Sequence, residues 1–314
     1  MNITRRAVLG ASLAATALPA LAYPTRPIRI VIGFGPGGLA DIILRTVAAA
    51  MAEELGQQVV VDNRPGAGGA LAAQAVSGAA PDGHTLILFT SGTSISRALF
   101  RNLPFDPVTQ FTPVSAMAAF DALVLAPASS PITTLESLRG RRAPLTIATL
   151  TAGSTQHLTG EMFRLASGLD ITLVPFRTSP EIMTALRRGD VDLAIESYGA
   201  AAGDLRAGAL RALANTAAMR SPLLPAVPTI RESGFDCVME GWNAIFAPVG
   251  TPEPVVAQLN ATIRGIIARP AIQARLLELG VVPRANAPGE MAALLRDDIA
   301  LWNGVIDRAG IERQ

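Results

Sequence analysis

The sequence predicts an α/β protein of two lobes, each a mostly parallel sheet flanked by helices, with a ligand cleft between them. Three observations predict it. A β-branched run, Ile30-Val-Ile32, ends in a cluster of glycines, and a helical apolar pattern (Leu39, Ile42, Ile43, Val47, Met51) starts at once. The same order of strand, small polar turn and helix recurs near residue 145. The chain then crosses between the two units twice, near 120–125 and 240–246, which makes a hinged cleft.

The chain begins with a segment that belongs to neither lobe. Arg5 and Arg6 precede an apolar run from Ala7 to Leu18, and Ala20-Leu-Ala22 supplies a small-x-small cleavage site before Tyr23. This is the pattern of a cleavable export signal. Thr4-Arg-Arg-Ala-Val-Leu9 also resembles a twin-arginine signal. A spanning helix needs about 20 apolar residues, and this run is shorter. The mature protein, from Tyr23 onward, is therefore expected in the periplasm.

Taking Arg5 and Arg6 from the 26 basic residues leaves 24 against 25 acidic ones. No lysine occurs and no basic tract stands out, so neither nucleic acid nor a charged membrane surface is expected as a partner. The single cysteine, Cys237, is expected to be a small buried hydrophobe. Hydrophobic content of 50% with only 4% aromatic residues implies cores of Ala, Val, Leu and Ile. A mature chain of roughly 290 residues usually divides its interior between two cores.

In the first unit, strand Ile28–Ile32 passes through Gly33-Phe-Gly-Pro-Gly-Gly38 into helix Ala40–Leu55 and strand Val59–Val61. The loop Asn63–Gly69 and a short Ala-rich helix to Val76 follow. Pro81-Asp-Gly83 then turns the chain into strand Thr85–Phe89, which ends in Thr90-Ser-Gly-Thr-Ser94. Parallel sheets bind ligands beyond the carboxyl ends of their strands, so these three loops are expected to converge. Ser91 and Thr93 are candidates for ligand contact, with plain helix capping as the competing reading.

The second unit begins near Val124. Strand Leu145–Thr149 runs into Leu150-Thr-Ala-Gly-Ser-Thr-Gln-His-Leu158 and a helix reaching Ala166. Strand Ile171–Val174 ends in Pro175-Phe-Arg-Thr-Ser-Pro180. Helix Glu181–Arg188 stops at Gly189, a good C-cap. Asp190–Glu196 is another strand closing on a polar loop. Asn243–Pro248 returns to the first unit, and helices at Pro254–Ile267, Ala271–Leu279 and Pro288–Ala309 complete it. The expected division is 1–22 export signal, 23–123 with 246–314 for the first lobe, and 124–245 for the second.

The first glycine turn aims free backbone N–H groups and a helix dipole at one point, which makes an anion site. Two readings compete for it. Gly33, Gly35 and Gly38 fit the dinucleotide fingerprint G-x-G-x-x-G, and Asp62 stands at the end of the next strand, where a dehydrogenase would bind ribose. The other reading is a solute-binding cleft whose anion site holds a carboxylate. Export to the periplasm, which holds no nicotinamide pool, weighs against the dehydrogenase. Catalytic constellations are scarce, since His84 and His157 are far apart and no metal-binding spacing or nucleophile elbow occurs. Arg177 can pair with an acidic ligand, whereas Glu196 would repel one unless it meets a cation or ammonium.

Pro24–Val31 and Phe34–Asp41 open a resemblance to a known family. Leu55–Gly69, Pro81–Leu86, Gly153–Glu161, Arg220-Ser221, Val227-Pro-Thr229 and Ala247–Pro252 continue it in order. Together they resemble the tripartite tricarboxylate transporter receptors, the Bug-type periplasmic solute-binding proteins, over essentially the whole mature chain. The resemblance implies the periplasmic-binding-protein fold and a carboxylate ligand. It also implies delivery to inner-membrane permease subunits, with no catalysis; a monomer without a cofactor is expected. It places the ligand carboxylate on the loop Phe34, Gly35, Gly37 and Gly38, with Asp41 in the first helical turn. A second group meets Thr151, Gly153, Ser154 and Thr155, with His157 behind them. Two positions depart from the family pattern. Phe176-Arg177-Thr178 stands where Tyr-Lys-Gly is usual, and Glu196 stands where an aspartate is usual.

Overall fold

A computed structural model describes residues 23–66 and 69–314; the expected export segment lies outside them. The first strands are β1 (Ile28–Ile32), β2 (Val59–Asn63) and β3 (Thr85–Thr90), with helices α1 (Leu39–Leu55), α2 (Ala70–Ser77) and α3 (Ser91–Leu99) after each in turn. Two strands, β4 (Phe111–Phe120) and β5 (Ala122–Pro127), then carry the chain across. The second unit runs β6 (Leu145–Leu150), α4 (Thr155–Ser167), β7 (Ile171–Phe176), α5 (Ser179–Arg188), β8 (Leu193–Ser197), α6 (Tyr198–Arg206) and β9 (Leu210–Asn215). The chain returns through β10 (Gly241–Pro248), α7 (Glu253–Ile267), α8 (Pro270–Glu278), β11 (Val282–Pro283) and α9 (Pro288–Ala309).

These strands form two sheets, ordered β11-β4-β10-β3-β1-β2 and β7-β6-β8-β5-β9. Pairs joined through helices (β1 with β2 and β3, β6 with β7 and β8) are parallel. The strands that carry the chain between sheets, β5 and β10, run antiparallel to their neighbours, so both sheets are mixed. A βαβ crossover imposes the parallel arrangement, while a strand arriving from the other lobe enters from the opposite end. Because β10 opposes both β3 and β4, the ends of β1, β3 and β4 lie on one side, where Phe120 leads into the second sheet. There Ala122 pairs with Ser197 at the end of β8. The carboxyl ends of both parallel sets therefore meet along one seam, the position at which open α/β sheets generally take ligands.

The chain leaves the first sheet at Asp121 and returns at Glu240. Met239 still donates its N–H to Thr216 O of the second lobe at 2.7 Å, and Gly241 already pairs with Phe120. The two changeovers therefore lie at Asp121 and Glu240. No turn residue other than Gly241 marks the second, and β10 is buried along its whole length. A side chain at Gly241 would collide with the Phe120 ring.

The first sheet is covered on one face by a core of Ile30, Ile43, Leu44 and Leu259, and on the other by Phe89, Phe111, Trp242 and Phe246. In the second lobe, one face holds Ile147, Phe163 and Ile195 and the other holds Leu125, Ile182 and Leu186. Two helices tie these cores together. Ile95, Ala98 and Leu99 of α3 pack into the second lobe's core. In α9, Met291 and Leu295 sit in the first core, whereas Trp302, Val305 and Ile306 sit in the second. At 1.5 Å per residue the helix is long enough to splint both lobes.

Candidate ligand-binding site

The loop after β1 is held open from within. Gly37 adopts φ +85°, a conformation that glycine takes without strain. Its N–H donates to Asp41 Oδ2 at 2.9 Å. Arg45 Nε donates to the same oxygen at 2.9 Å, and Asn63 Nδ2 donates to Asp41 Oδ1 at 2.9 Å and to Phe34 O at 3.0 Å. Asp41 is buried, which by itself would raise its pKa. The hydrogen bonds from Arg45, Gly37 and Asn63 outweigh burial and bring it down to about 2. This carboxylate is a brace that fixes the loop from behind. Phe34, Gly35 and Gly38 are exposed, and among the described residues their N–H groups find no protein acceptor.

The matching loop after β6 is a turn in which Ser154 N–H donates to Thr151 O at 3.0 Å, with Gly153 at φ +81°. Ser154 Oγ caps α4 by accepting from His157 N–H at 3.1 Å. Both the N–H and the hydroxyl of Ser154 are thereby engaged, as is the Gly37 N–H. The anion-binding donors expected at those two residues already have acceptors, and the open N–H groups are their neighbours, Gly38 and Thr155. His157 is half-buried, and burial depresses its pKa against the pull of Glu161. A neutral imidazole behind the turn suits bracing.

Ser91 and Thr93 do not lie in a loop. Thr90 Oγ1 accepts from Gly92 N–H at 3.2 Å and starts α3 one residue later, as the capping reading predicts. Thr93 lines a cavity of about 300 Å³ with Gly33, Phe34, Phe89, Ser96 and Phe105. Ser91 is buried with an unpartnered hydroxyl. Phe176 packs against the second lobe's core. The Arg177 backbone donates to Glu181 Oε2 at 3.0 Å, and its exposed guanidinium has no ion pair among the described residues.

Glu196 is 1% exposed at the end of β8. Its Oε1 accepts from Gln156 Nε2 at 3.1 Å and from Ser197 N–H at 2.7 Å, while Oε2 has no partner. Gln156 lies in the first turn of α4, beside Thr155. Asn63, Arg45, Gln156 and Phe105 are the contributors that sequence reasoning missed. Only the Asn63 position, at the end of a strand beside a glycine loop, carries a local signal.

The fingerprint residues serve other ends than nucleotide binding. A Cβ on Gly33 would lie 2.7 Å from Gly69 Cα, so this glycine permits close contact between β1 and α2. Asp62 is paired with Arg64 at 2.9 Å and Arg29 at 3.6 Å. Among the described residues no three His, Cys, Asp or Glu side chains are grouped to hold a metal, and no helix is long and apolar enough to cross a membrane.

Residues 43–311 match the profile described as "Tripartite tricarboxylate transporter family receptor". Protein BugT of Bordetella pertussis is 32% identical, over 99% of this chain and 99% of that protein. MatC from Rhodopseudomonas palustris with bound malate is 35% identical, covers 90% of this chain and 100% of that one, and superposes with a TM-score of 0.71. R. palustris Rpa4515 with adipate is also 35% identical, at 92% and 99% coverage and a TM-score of 0.75.

Proposed function

The chain belongs to the tripartite tricarboxylate transporter receptor family, and from that premise we propose that it captures a small organic acid in the periplasm for a membrane permease. One observation carries the reading. Two glycine turns, each following a parallel strand and opening a helix, present unengaged N–H groups on the same inter-lobe seam, one from each lobe. Phe34–Gly38 is held from behind by Asp41, and Thr151–Thr155 is held by the Ser154 cap. Charge-assisted hydrogen bonds to such donors are worth about 1.5–3 kcal/mol each. The malate and adipate bound to the two related structures are acids of the matching class. The matching family is one of transporter receptors, and the role we propose is binding.

Calorimetry against malate, adipate and their diamides tests this. The acids should bind and the diamides should not. Equal affinity for an acid and its amide would overturn the reading, and so would binding of NAD in place of either acid.

A further inference from the structure

A cavity of about 300 Å³ adjoins the glycine loop of the first lobe. Gly33 and Phe34 line it, so the residues that open the donor loop also form part of its wall. The rest of the wall includes Ala72 near the start of α2, Phe89 at the end of β3, Thr93 and Ser96 in α3, and Phe105 in the segment after α3. Separate segments of the first lobe thus enclose a space at the carboxyl ends of β1 and β3, where the loop presents its N–H groups.

The wall is largely aromatic. Phe89 and Phe105 lie with ring centroids 5.8 Å apart and planes 15° from parallel. Phe111 packs edge-on against both, and the Phe246 ring is 5.2 Å from Phe89. The two rings are therefore fixed by their neighbours rather than free to swing into the space. They keep 4% and 6% of their surface exposed, whereas Phe34 is 47% exposed. Among the described residues no charged side chain lines the cavity. Its polar side chains are the hydroxyls of Thr90, Thr93 and Ser96, and Thr90 Oγ1 already accepts from Gly92 N–H. A carboxylate or ammonium entering here would lose its hydration without meeting a counter-charge, which is costly, whereas an apolar group gains by leaving water.

We propose that the ligand of this protein is an acid bearing a phenyl-sized apolar group close to its carboxylate. The inference rests on the carboxylate reading above and specifies what the acid carries. The carboxylate takes the N–H groups of the loop Phe34–Gly38, and the ring enters the adjoining cavity against Phe89 and Phe105. Aromatic rings in such surroundings gain from edge and offset contacts beyond their buried area. The volume stands at the lower end of small-molecule pockets, which suits one ring of the ligand rather than the whole of it. Burying a ring's apolar surface raises affinity by about tenfold or more.

Calorimetry on the full mature protein compares succinate with phenylsuccinate, and benzyl alcohol supplies the ring without the acid. Phenylsuccinate should bind about tenfold or more tightly than succinate, with a more negative heat-capacity change. Benzyl alcohol should bind far more weakly than phenylsuccinate. Ser96→Phe and Ala72→Leu each bring a larger side chain to the cavity wall, from different helices, and each should lower the ratio of the two affinities towards one. The ratio is read within each variant, so a general loss of stability does not imitate the effect. The inference is overturned if benzyl alcohol binds as tightly as phenylsuccinate, or if both variants keep the full preference. Binding of both diacids with equal affinity by the parent protein sinks this inference alone. Binding of neither diacid removes the carboxylate reading and this inference with it.

Discussion

Trp242 Nε1 donates a hydrogen bond to Asp298 Oδ2 at 3.0 Å, joining the strand that returns from the second lobe to the helix that splints both. The bond sits where α9 passes from Met291 and Leu295 in one core to Trp302 and Val305 in the other. Burial pushes the Asp298 pKa up to about 6, against the lowering effect of Ser94, Trp242 and Trp302 around it. Of those three donors only Trp242 makes a well-aligned bond.

An acid whose folded pKa is raised loses stability as pH rises. Between about pH 4 and pH 6 the folded state keeps a proton that the unfolded chain has released, and above about 6 the full penalty is present. A rise from the ordinary carboxylate value to about 6 corresponds to about 3 kcal/mol. Asp298→Asn keeps an acceptor for Trp242 and removes the ionisation. Urea unfolding across this window should therefore show a flatter pH slope in the variant; Asp121, raised in the same direction, and His157, lowered and so of opposite sign, contribute to the slope that remains. An unchanged slope would remove Asp298 from this account.

Asp41 titrates with the opposite sign. Its carboxylate is held at about 2, so its contribution is complete above about pH 4 and is lost as pH falls from there towards 2. Asp41→Asn should cost about 1.5–3 kcal/mol at neutral pH by weakening the bonds from Arg45 and Gly37. It should also weaken acid binding by loosening the loop, measurable by calorimetry. Full retention of both stability and affinity would show that the brace is unnecessary.

Gly33→Ala places a Cβ 2.7 Å from Gly69 Cα, where backbone meets backbone and neither side chain can yield. A cost of about 1–3 kcal/mol is expected from such overpacking, visible as a lower melting temperature. Gly35→Ala meets no atom within 4 Å and should leave the melting temperature near that of the parent. Equal effects from the two would contradict the packing assignment.

On the proposed reading, Glu196 at the end of β8 meets a hydroxyl or ammonium donor carried by the bound acid. Malate should bind more tightly than succinate, by roughly tenfold for one bond to a charged group. Glu196→Ala should erase that preference. A preference that survives the substitution would place the hydroxyl elsewhere.

Cys237 is 1% exposed, and burial with Asp236 nearby pushes its thiol up to about 12. Thiol reagents act on the thiolate, so labelling should wait for unfolding and follow its rate. Prompt labelling of the native protein would mean that this part of the second core opens without unfolding.

The sequence by itself determined the local units. Ile30-Val-Ile32 followed by glycines is a strand and a turn whatever surrounds it, and Gly189 caps the helix that its position predicts. These are short-range effects of sterics and of helix-end hydrogen bonding, so they can be read within a few residues. Only the tertiary structure decided how those units are used. Asp41 turns inward because Asn63, over twenty positions away, reaches its other oxygen. Thr93 lines a cavity with Phe89 and Phe105 from other segments, and α9 belongs to both lobes because its two halves meet different cores. Each of these depends on contacts between distant segments, which leave no periodicity or spacing in the sequence to be read.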